Sequence, residues 1–410
     1  MSEWKELSSI TSKIGSGLTP RGGNSVYTDN GISLIRSQNV LDMDFSTENL
    51  AYIDEVQAEK LKNVIVEKND ILLNITGDSI ARCTIVPEEI LPARVNQHVS
   101  IIRCKNTEQS KYVMYYLQYI KKYLLQISKV GGTRNALTKE AIGKLPIKIS
   151  DDCNKISKIL DNIDQKIHTN NQINQELEAM AKTLYDYWFV QFDFPDQNAK
   201  PYKSSVGKMV YHPELKREIP EGWGVDSLWN IANFYNGLAM QKYRPDTNED
   251  DYLPVIKIRE MMNGFSKDTE RARLDIPSEA VVDRGDILFS WSATLEVIIW
   301  GKEKGALNQH IFKVTSDTYP KSFIYFELKS YLKVFKAIAE LRKTTMGHIT
   351  QDHLKQAKIV VPPIELISKL DAKLQPIMLK QQILENQNQE LTQLRDWLLP
   401  MLMNGQVKVE

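Results

Sequence analysis

The chain has 410 residues, 42% hydrophobic and 25% charged, a balance that fits a globular protein of two to four domains with real cores. Lysines plus arginines equal aspartates plus glutamates, 52 against 52, so no net positive charge points to a nucleic-acid partner, although basic groups can still gather on one face. No apolar stretch reaches the roughly 18–20 residues of a membrane-spanning helix. The start "MSEWKELSSI" lacks a basic-then-apolar leader pattern, so a cytoplasmic protein is expected.

In chain order, "WKELSSITSKIGSGLTP" predicts a short strand or helix and then a glycine-containing loop. The runs "ISLIRS", "DILLNI" and "VSIIRC" are short, rich in β-branched residues and bounded by turn residues, which predicts strands. A helix is expected over 110–128, followed by a polar loop and a strand ending near Ile149. The period then changes. Ile156, Ile163, Asn170, Leu177 and Leu184 recur every seven residues, with Ile159, Ile173, Met180 and Tyr187 as a second seam. That is a heptad helix with a polar residue in a core position.

The same plan then returns. "WGVDSLWNIANFYNGLA" opens it, the strands "YLPVIKI", "DILFSW", "EVIIWG" and "HIFKVT" follow, and a helix is expected over 322–342. "VEKNDILLNITG" matches "VDRGDILFSWSA", with Asp70 opposite Asp286, and Asn-Gln-His occurs at 96–98 and again at 308–310. "SLIRSQNV" matches "PVIKIREM", and "NALTKEAIGKLPIKI" matches "GHITQDHLKQAKIVV". Four matches in one order indicate an internal duplication.

A second heptad helix closes the chain. Leu370, Ile377, Leu384, Leu391 and Leu398 form one row, and Ile367, Leu374, Gln381 and Asn388 the other. "PPIE" at 362–365 fits a helix start. Pro376 is expected to kink or restart the helix. Each helix is about 35 residues, roughly 50 Å long. The simplest pairing is of the two with each other, antiparallel. The expected fold is therefore α+β: two duplicated α/β domains separated by two long helices forming an antiparallel coiled coil. The expected divisions are 1–150, 151–195, 196–361 and 362–410.

Catalytic signatures are missing. No phosphate-binding G-x-x-x-x-G-K-[ST], dinucleotide G-x-G-x-x-G, G-x-S-x-G elbow, H-E-x-x-H or paired C-x-x-C is present. No Asn-Pro-Pro-aromatic or Asp-Pro-Pro-aromatic tetrapeptide, by which amino-methyltransferases grip an amine, occurs either. Cys83, Cys104 and Cys153 are too scattered for a disulfide framework or a zinc site. His98 and His310 are equivalent by repeat, yet without clustered partners they read as loop hydrogen-bonding residues. No metal and no catalytic residue is expected.

Several loops instead mix glycine with arginine, amides and hydroxyls. Arginine can bond guanine and Asn or Gln adenine at base edges, while Lys and hydroxyls more often hold phosphates. In the first half the candidates for DNA contact are Thr19, Arg21, Arg36, Gln38, Asn39, Thr76, Ser79, Arg82, Arg94, Asn96, Gln97, His98, Thr133, Arg134 and Asn135. In the second half they are Lys242, Tyr243, Arg244, Lys257, Arg259, Ser290, Ser292, Thr294, Asn308, Gln309, His310, Arg342, Lys343, Thr345 and His348. The halves share a framework and differ in loop residues, as expected if each reads a different sequence. A bland alternative remains, a two-module coiled-coil scaffold that does not bind DNA.

The whole pattern resembles the specificity subunit of type I restriction–modification systems. "LYDYWFVQFDFP" (184–195) resembles that family's ending of the central helix, "REIPEGW" (217–223) its approach to the second domain, and "LRDWLLPMLMNGQVKV" (394–409) its C-terminal ending. The second domain's "EVIIWG" lacks the "SIAR"-like loop of the first. The resemblance implies two target-recognition domains that read a split, asymmetric double-stranded DNA site across a helical spacer. It implies docking of two modification subunits, which carry S-adenosylmethionine and methylate adenine N6, and of ATP-driven restriction subunits. No cofactor of its own is implied. Tyr185, Tyr187, Trp188, Phe189, Phe192, Phe194 and Trp397 are then either core aromatics at the helix ends or partner-docking residues.

Overall fold

The computed structural model describes residues 3–129, 135–247, 251–341 and 348–409. They form two compact units, residues 1–168 with 389–410 and residues 169–388. Each long helix is therefore divided between the units near its middle.

The first unit contains an antiparallel sheet in the order Thr11–Ser16, Val99–Cys104, Ile71–Asn74, Cys83–Ile85. A second sheet runs Ala51–Ile53, Ile32–Ile35, Ala93–Val95, Ile65–Val66, with its middle pair parallel. Strand Glu3–Glu6 pairs with Pro146–Ile149. The second unit repeats this strand for strand. Its first sheet is Asn233–Asn236, Ile311–Thr315, Ile287–Ser290, Glu296–Ile299, and its second is Arg271–Ala272, Leu253–Ile256, Gly305–Leu307, Val281–Val282. Leu253–Ile256 and Gly305–Leu307 are again parallel, and Gly224–Ser227 pairs with Lys358–Val361.

The repeated aspartates explain themselves here. Asp70 Oδ2 accepts the Glu67 N–H at 2.7 Å, and Asp286 Oδ2 accepts the Asp283 N–H at 2.9 Å. Both close the tight turn into a central strand, with Asn69 (φ 65°) and Gly285 (φ 90°) at its left-handed corner. Asp70 is fully buried and bonds the Arg103 guanidinium through Nε and Nη2, both at 2.8 Å.

In the first unit a helix packs over the antiparallel sheet, burying Tyr112, Val113, Tyr116 and Leu117. The sequence suggested one helix over 110–128. The structure has two, Ser110–Tyr119 and Lys121–Ile127, because the backbone at Ile120 leaves the helical region (ψ 14°). Its counterpart Lys321–Leu341 is continuous.

The first long helix is Cys153–Tyr185, continued by a wider π-helical turn, Asp186–Val190. The second is Ile364–Asn404. It runs unbroken through Pro376, against the expected kink. One missing N–H is tolerated because Ile367, Leu370 and Leu374 just before it are buried in the unit's core. The helices run antiparallel in both units. In the second, Asn170 Nδ2 donates to Asn388 Oδ1 at 2.8 Å and Gln381 Nε2 to Glu178 Oε2 at 3.2 Å. In the first, Arg395 Nη1 meets Asp164 Oδ1 at 2.8 Å. Asn170 is fully buried, as the heptad pattern implied. Met180 and Tyr187, expected in the second seam, are exposed at 56% and 37%. The buried face passes instead through Ala181 and Tyr185, since a 3.6-residue helix drifts off a strict seven-residue stripe. Among the described residues, no helix is long and apolar enough to cross a membrane.

Candidate nucleic-acid interface

Each unit builds its candidate surface on one backbone frame. Asn96 is buried at the end of strand Ala93–Val95, and its Oδ1 accepts the His98 N–H at 3.1 Å. This side-chain turn leaves Gln97 exposed, its Nε2 3.0 Å from His98 Nε2. In the second unit, Asn308 accepts from the His310 N–H at 3.4 Å, and Gln309 Nε2 lies 3.3 Å from His310 Nε2. The same carbonyls serve in both: Ile75 N–H donates to His98 O and Trp291 N–H to His310 O. A glycine brings the first loop against this turn in each unit. A Cβ on Gly17 would stand 1.9 Å from the Val95 oxygen, and one on Gly237 2.3 Å from the Asn308 oxygen.

In the first unit four loops converge around a cleft of about 930 Å³, lined by Ser37, Gln38, Thr76, Gly77, Asp78, Ser79, Arg82, His98, Asn135 and Ala136. Gln38, Thr76, Ser79, Arg82, His98 and Asn135 were all singled out by sequence. Thr76 Oγ1 and His98 Nδ1 are 2.5 Å apart, which orients the imidazole. The cleft is organised from beneath by Asn74, which sequence reasoning missed. It is fully buried, and its Nδ2 donates to Ser37 O, Val40 O and Ser79 Oγ, at 2.8, 3.2 and 3.1 Å. Its only signal was an amide at the end of an otherwise apolar strand. Arginine, amides, hydroxyls and an imidazole around an open cleft suit the donor and acceptor edges of bases and phosphates.

The second unit dresses the same frame differently. Trp291 takes the place of Ile75, and its Nε1–H donates to Asn236 Oδ1 at 3.0 Å. Its ring lies 5.6 Å from that of His310 and 6.2 Å from that of His348. Ser292 pairs with His348 as Thr76 pairs with Ala136. Ser292, Gln309, His310 and His348 are thus brought together, and Trp291 and Asn236 are the residues missed.

The remaining described candidates of the first half do not line the first unit's cleft, and several candidates in both halves serve their own backbone or an ion pair instead. Asn39 is fully buried: its Oδ1 accepts the Arg36 N–H and its Nδ2 donates to Ser46 O and Glu48 O, so it braces its loop and presents nothing to a base. Arg94 is 8% exposed and donates to the Ala58 and Ala93 carbonyls, which removes it as a reader. Asn96 and Asn308 are the turn-makers just described. Ser290 is buried, donates to Thr294 O and accepts the Glu296 N–H. Arg36 is half-buried, bonded to the Asn49 carbonyl and stacked 5.5 Å over Tyr27. Thr19, Arg21, Lys242, Arg244 and Thr294 are exposed. Tyr243 is half-buried against one of the second unit's two smaller cores, that of Met240, Leu253 and Val255. Lys257 is paired with Glu270 at 2.5 Å, and that bond holds the Glu270 carboxyl below its ordinary range. Arg259 is paired with Glu260 at 2.6 Å. Thr133, Arg134, Arg342, Lys343 and Thr345 lie outside the described residues.

The aromatic cluster divides. Tyr185, Trp188, Phe189, Phe192 and Phe194 are buried core residues of the second unit, correcting the docking role for Tyr185, Trp188 and Phe189. Phe189, Phe192 and Phe194 all pack against Trp223, so the segments "LYDYWFVQFDFP" and "REIPEGW" meet in one aromatic knot. Tyr185 stacks on Phe326 at 5.0 Å and donates to Glu327 Oε1 at 2.6 Å. Tyr187 and Trp397 remain exposed, at 37% and 56%. Cys83, Cys104 and Cys153 are buried free thiols, with burial pushing Cys83 up to about 12 and Cys104 to about 11. Among the described residues no His, Cys, Asp or Glu cluster could hold a metal.

Comparison with known proteins agrees with this duplication. The chain matches the family described as "Type I restriction modification DNA specificity domain" twice, over residues 6–179 and 220–393. It is similar to the type I restriction enzyme MjaIX specificity subunit of Methanocaldococcus jannaschii, 27% identical over 78% of this chain and 74% of the relative. It is also similar to the HindI specificity subunit of Haemophilus influenzae, 23% identical over 99% of this chain and all of the relative. Its fold resembles the crystal structure of a type I restriction–modification S subunit from M. genitalium, with a TM-score of 0.54 and 13% identity, covering 98% of this chain and 96% of that one.

Proposed function

This chain belongs to the type I restriction–modification DNA specificity family, and we propose that each of its two recognition domains reads one half of a bipartite, asymmetric double-stranded DNA site. It is a specificity subunit, the non-catalytic component of such systems. The observation that carries the proposal is the frame shared by both units. The same Asn-Gln-His turn and strand carbonyls recur, while the side chains mounted on them differ. A duplicated scaffold with divergent surface residues is what two different half-sites require.

The first domain works through the cleft around Thr76, Ser79, Arg82, His98, Gln38 and Asn135, the second through Ser292, Gln309, His310 and His348. Lys242 and Arg244 add charge for phosphates. The long helices set the gap between the half-sites. Two modification subunits, which bind S-adenosylmethionine, dock on this chain and methylate adenine N6 in each half-site, flipping the base themselves. Exposed Tyr187 and Trp397 are the aromatic contacts offered to them. ATP-driven restriction subunits join that complex, and this chain needs no cofactor of its own. All of this takes place in the cytoplasm.

The test is a domain exchange. Replacing residues 1–150 by the first domain of another specificity subunit should change one half-site of the methylated motif and leave the other and the gap intact. A change in both halves would overturn the modular reading. Inserting four residues near Asn170 should alter only the gap; an unchanged gap would refute the spacer role.

A further inference from the structure

Trp291 is half-buried, and it stands where the same backbone frame carries Ile75 in the first domain. Its main chain is tied into that frame: its N–H donates to the His310 carbonyl and its own carbonyl accepts from Ile349. Its one polar group, Nε1–H, is committed to Asn236 at 3.0 Å, which fixes the rotation of the ring. The exposed imidazoles of His310 and His348 flank it. What the indole presents to a partner is therefore a rigid apolar ledge, bordered by polar groups on Ser292 and Gln309.

A ledge without a free donor or acceptor cannot read the hydrogen-bonding pattern of a base. The apolar feature on the major-groove edge of DNA is the C5-methyl group of thymine. We infer that Trp291 is a specificity-determining residue of the second domain and contacts a thymine methyl in its half-site. The inference rests on the reading that the second domain binds DNA. Burying one methyl against an apolar surface is worth about a fourfold change in affinity.

The experiment uses the full chain assembled with its modification subunits and a duplex carrying its methylated motif. Each thymine of the second half-site is replaced in turn by deoxyuridine, which lacks only the methyl. Wild-type complex should bind one substituted duplex about fourfold more weakly. Trp291→Ala should lose that sensitivity, and Trp291→Phe, which keeps an aromatic ring, should retain it. Substitutions in the first half-site should leave the wild type and Trp291→Ala equally affected. A second half-site without thymine, no sensitive position in it, or equal sensitivity in Trp291→Ala would overturn the inference and leave the two-domain reading standing. Failure of the assembled wild-type complex to bind the duplex at all would overturn both. A purely structural tryptophan would lower stability in Trp291→Ala without removing the methyl dependence, and that result also counts against the inference.

Discussion

The close approach at Gly17 makes a prediction that separates the two domains. Alanine there would place its Cβ 1.9 Å from the Val95 oxygen and 2.4 Å from the Asn96 oxygen. Non-bonded atoms settle near 3.5 Å, so the loop must retreat by about 1 Å or more. The obstacle is backbone of a central strand, which cannot rotate away as a side chain can. Leu18 N–H to Val95 O, at 3.2 Å, is the first bond to go. Such overpacking costs about 1–3 kcal/mol, which for a unit of this size lowers the melting temperature by roughly 2–4 °C per kcal/mol. The functional loss is more specific. Moving the loop off the Asn-Gln-His turn should misplace at least one base contact, worth about 1–3 kcal/mol, or roughly 5–150-fold in affinity. Anisotropy titrations at fixed salt, with duplexes altered in either half-site, measure this for the assembled complex. Gly17→Ala should bind as though the first half-site were already altered, while remaining sensitive to changes in the second. Gly237→Ala, with its Cβ 2.3 Å from the Asn308 oxygen, should do the reverse. Wild-type affinity in both variants, or equal loss of discrimination at both half-sites, would mean that these close approaches do not position the reading loops.

Other consequences can be measured directly. Arg103→Met strands the fully buried Asp70 carboxylate and should cost about 3–5 kcal/mol in the first unit, read by its thermal melt; a change under about 0.5 kcal/mol would contradict the ion pair's role. Burial raises the Glu327 carboxyl from 4.5 to about 7. Folding therefore takes up a proton between those values, so this group's stabilising contribution is complete below pH 4.5 and declines as pH rises towards 7, by on the order of 3 kcal/mol in all. Glu327→Gln should remove that decline and be more stable than wild type at pH 8 but not at pH 4.5. Urea melts followed by tryptophan fluorescence, dominated by Trp188, Trp223, Trp229, Trp291 and Trp300 of the second unit, would show parallel pH profiles if the account were wrong. Thr76→Val removes the 2.5 Å contact that orients His98 and should weaken discrimination at the first half-site alone; an unchanged motif preference would exclude the cleft from recognition.

Much of the architecture was legible because duplication doubles every signal. The paired Asn-Gln-His triplets and the Asp70 and Asp286 turns marked equivalent frame positions before any side chain was placed. Burial was less legible. Asn39, Arg94, Asn96, Asn308 and Ser290 look like exposed readers in a linear sequence, yet each is buried and spends its side chain on hydrogen bonds to backbone. A polar residue that builds a turn and one that a turn displays have the same composition. Trp291 and Asn74 were hidden for the opposite reason, since Asn74 ends one strand and Trp291 directly follows another, both in runs that read as core. Asn74 does lie in the interior, but its amide ties three backbone and side-chain oxygens together beneath the cleft. The helix-end aromatics were undecided between core and docking because a heptad count cannot follow the buried face through Ala181 and Tyr185 into the π-helical turn.

The most direct test of the central claim is a methylome. The chain is co-expressed with its modification subunit in a host free of adenine methylation, and modified adenines are mapped by long-read sequencing. One split motif is expected, methylated on both strands, whose two halves respond separately to changes in the first and second domains. A continuous motif, or assembled complex that leaves the genome unmodified, would contradict that claim.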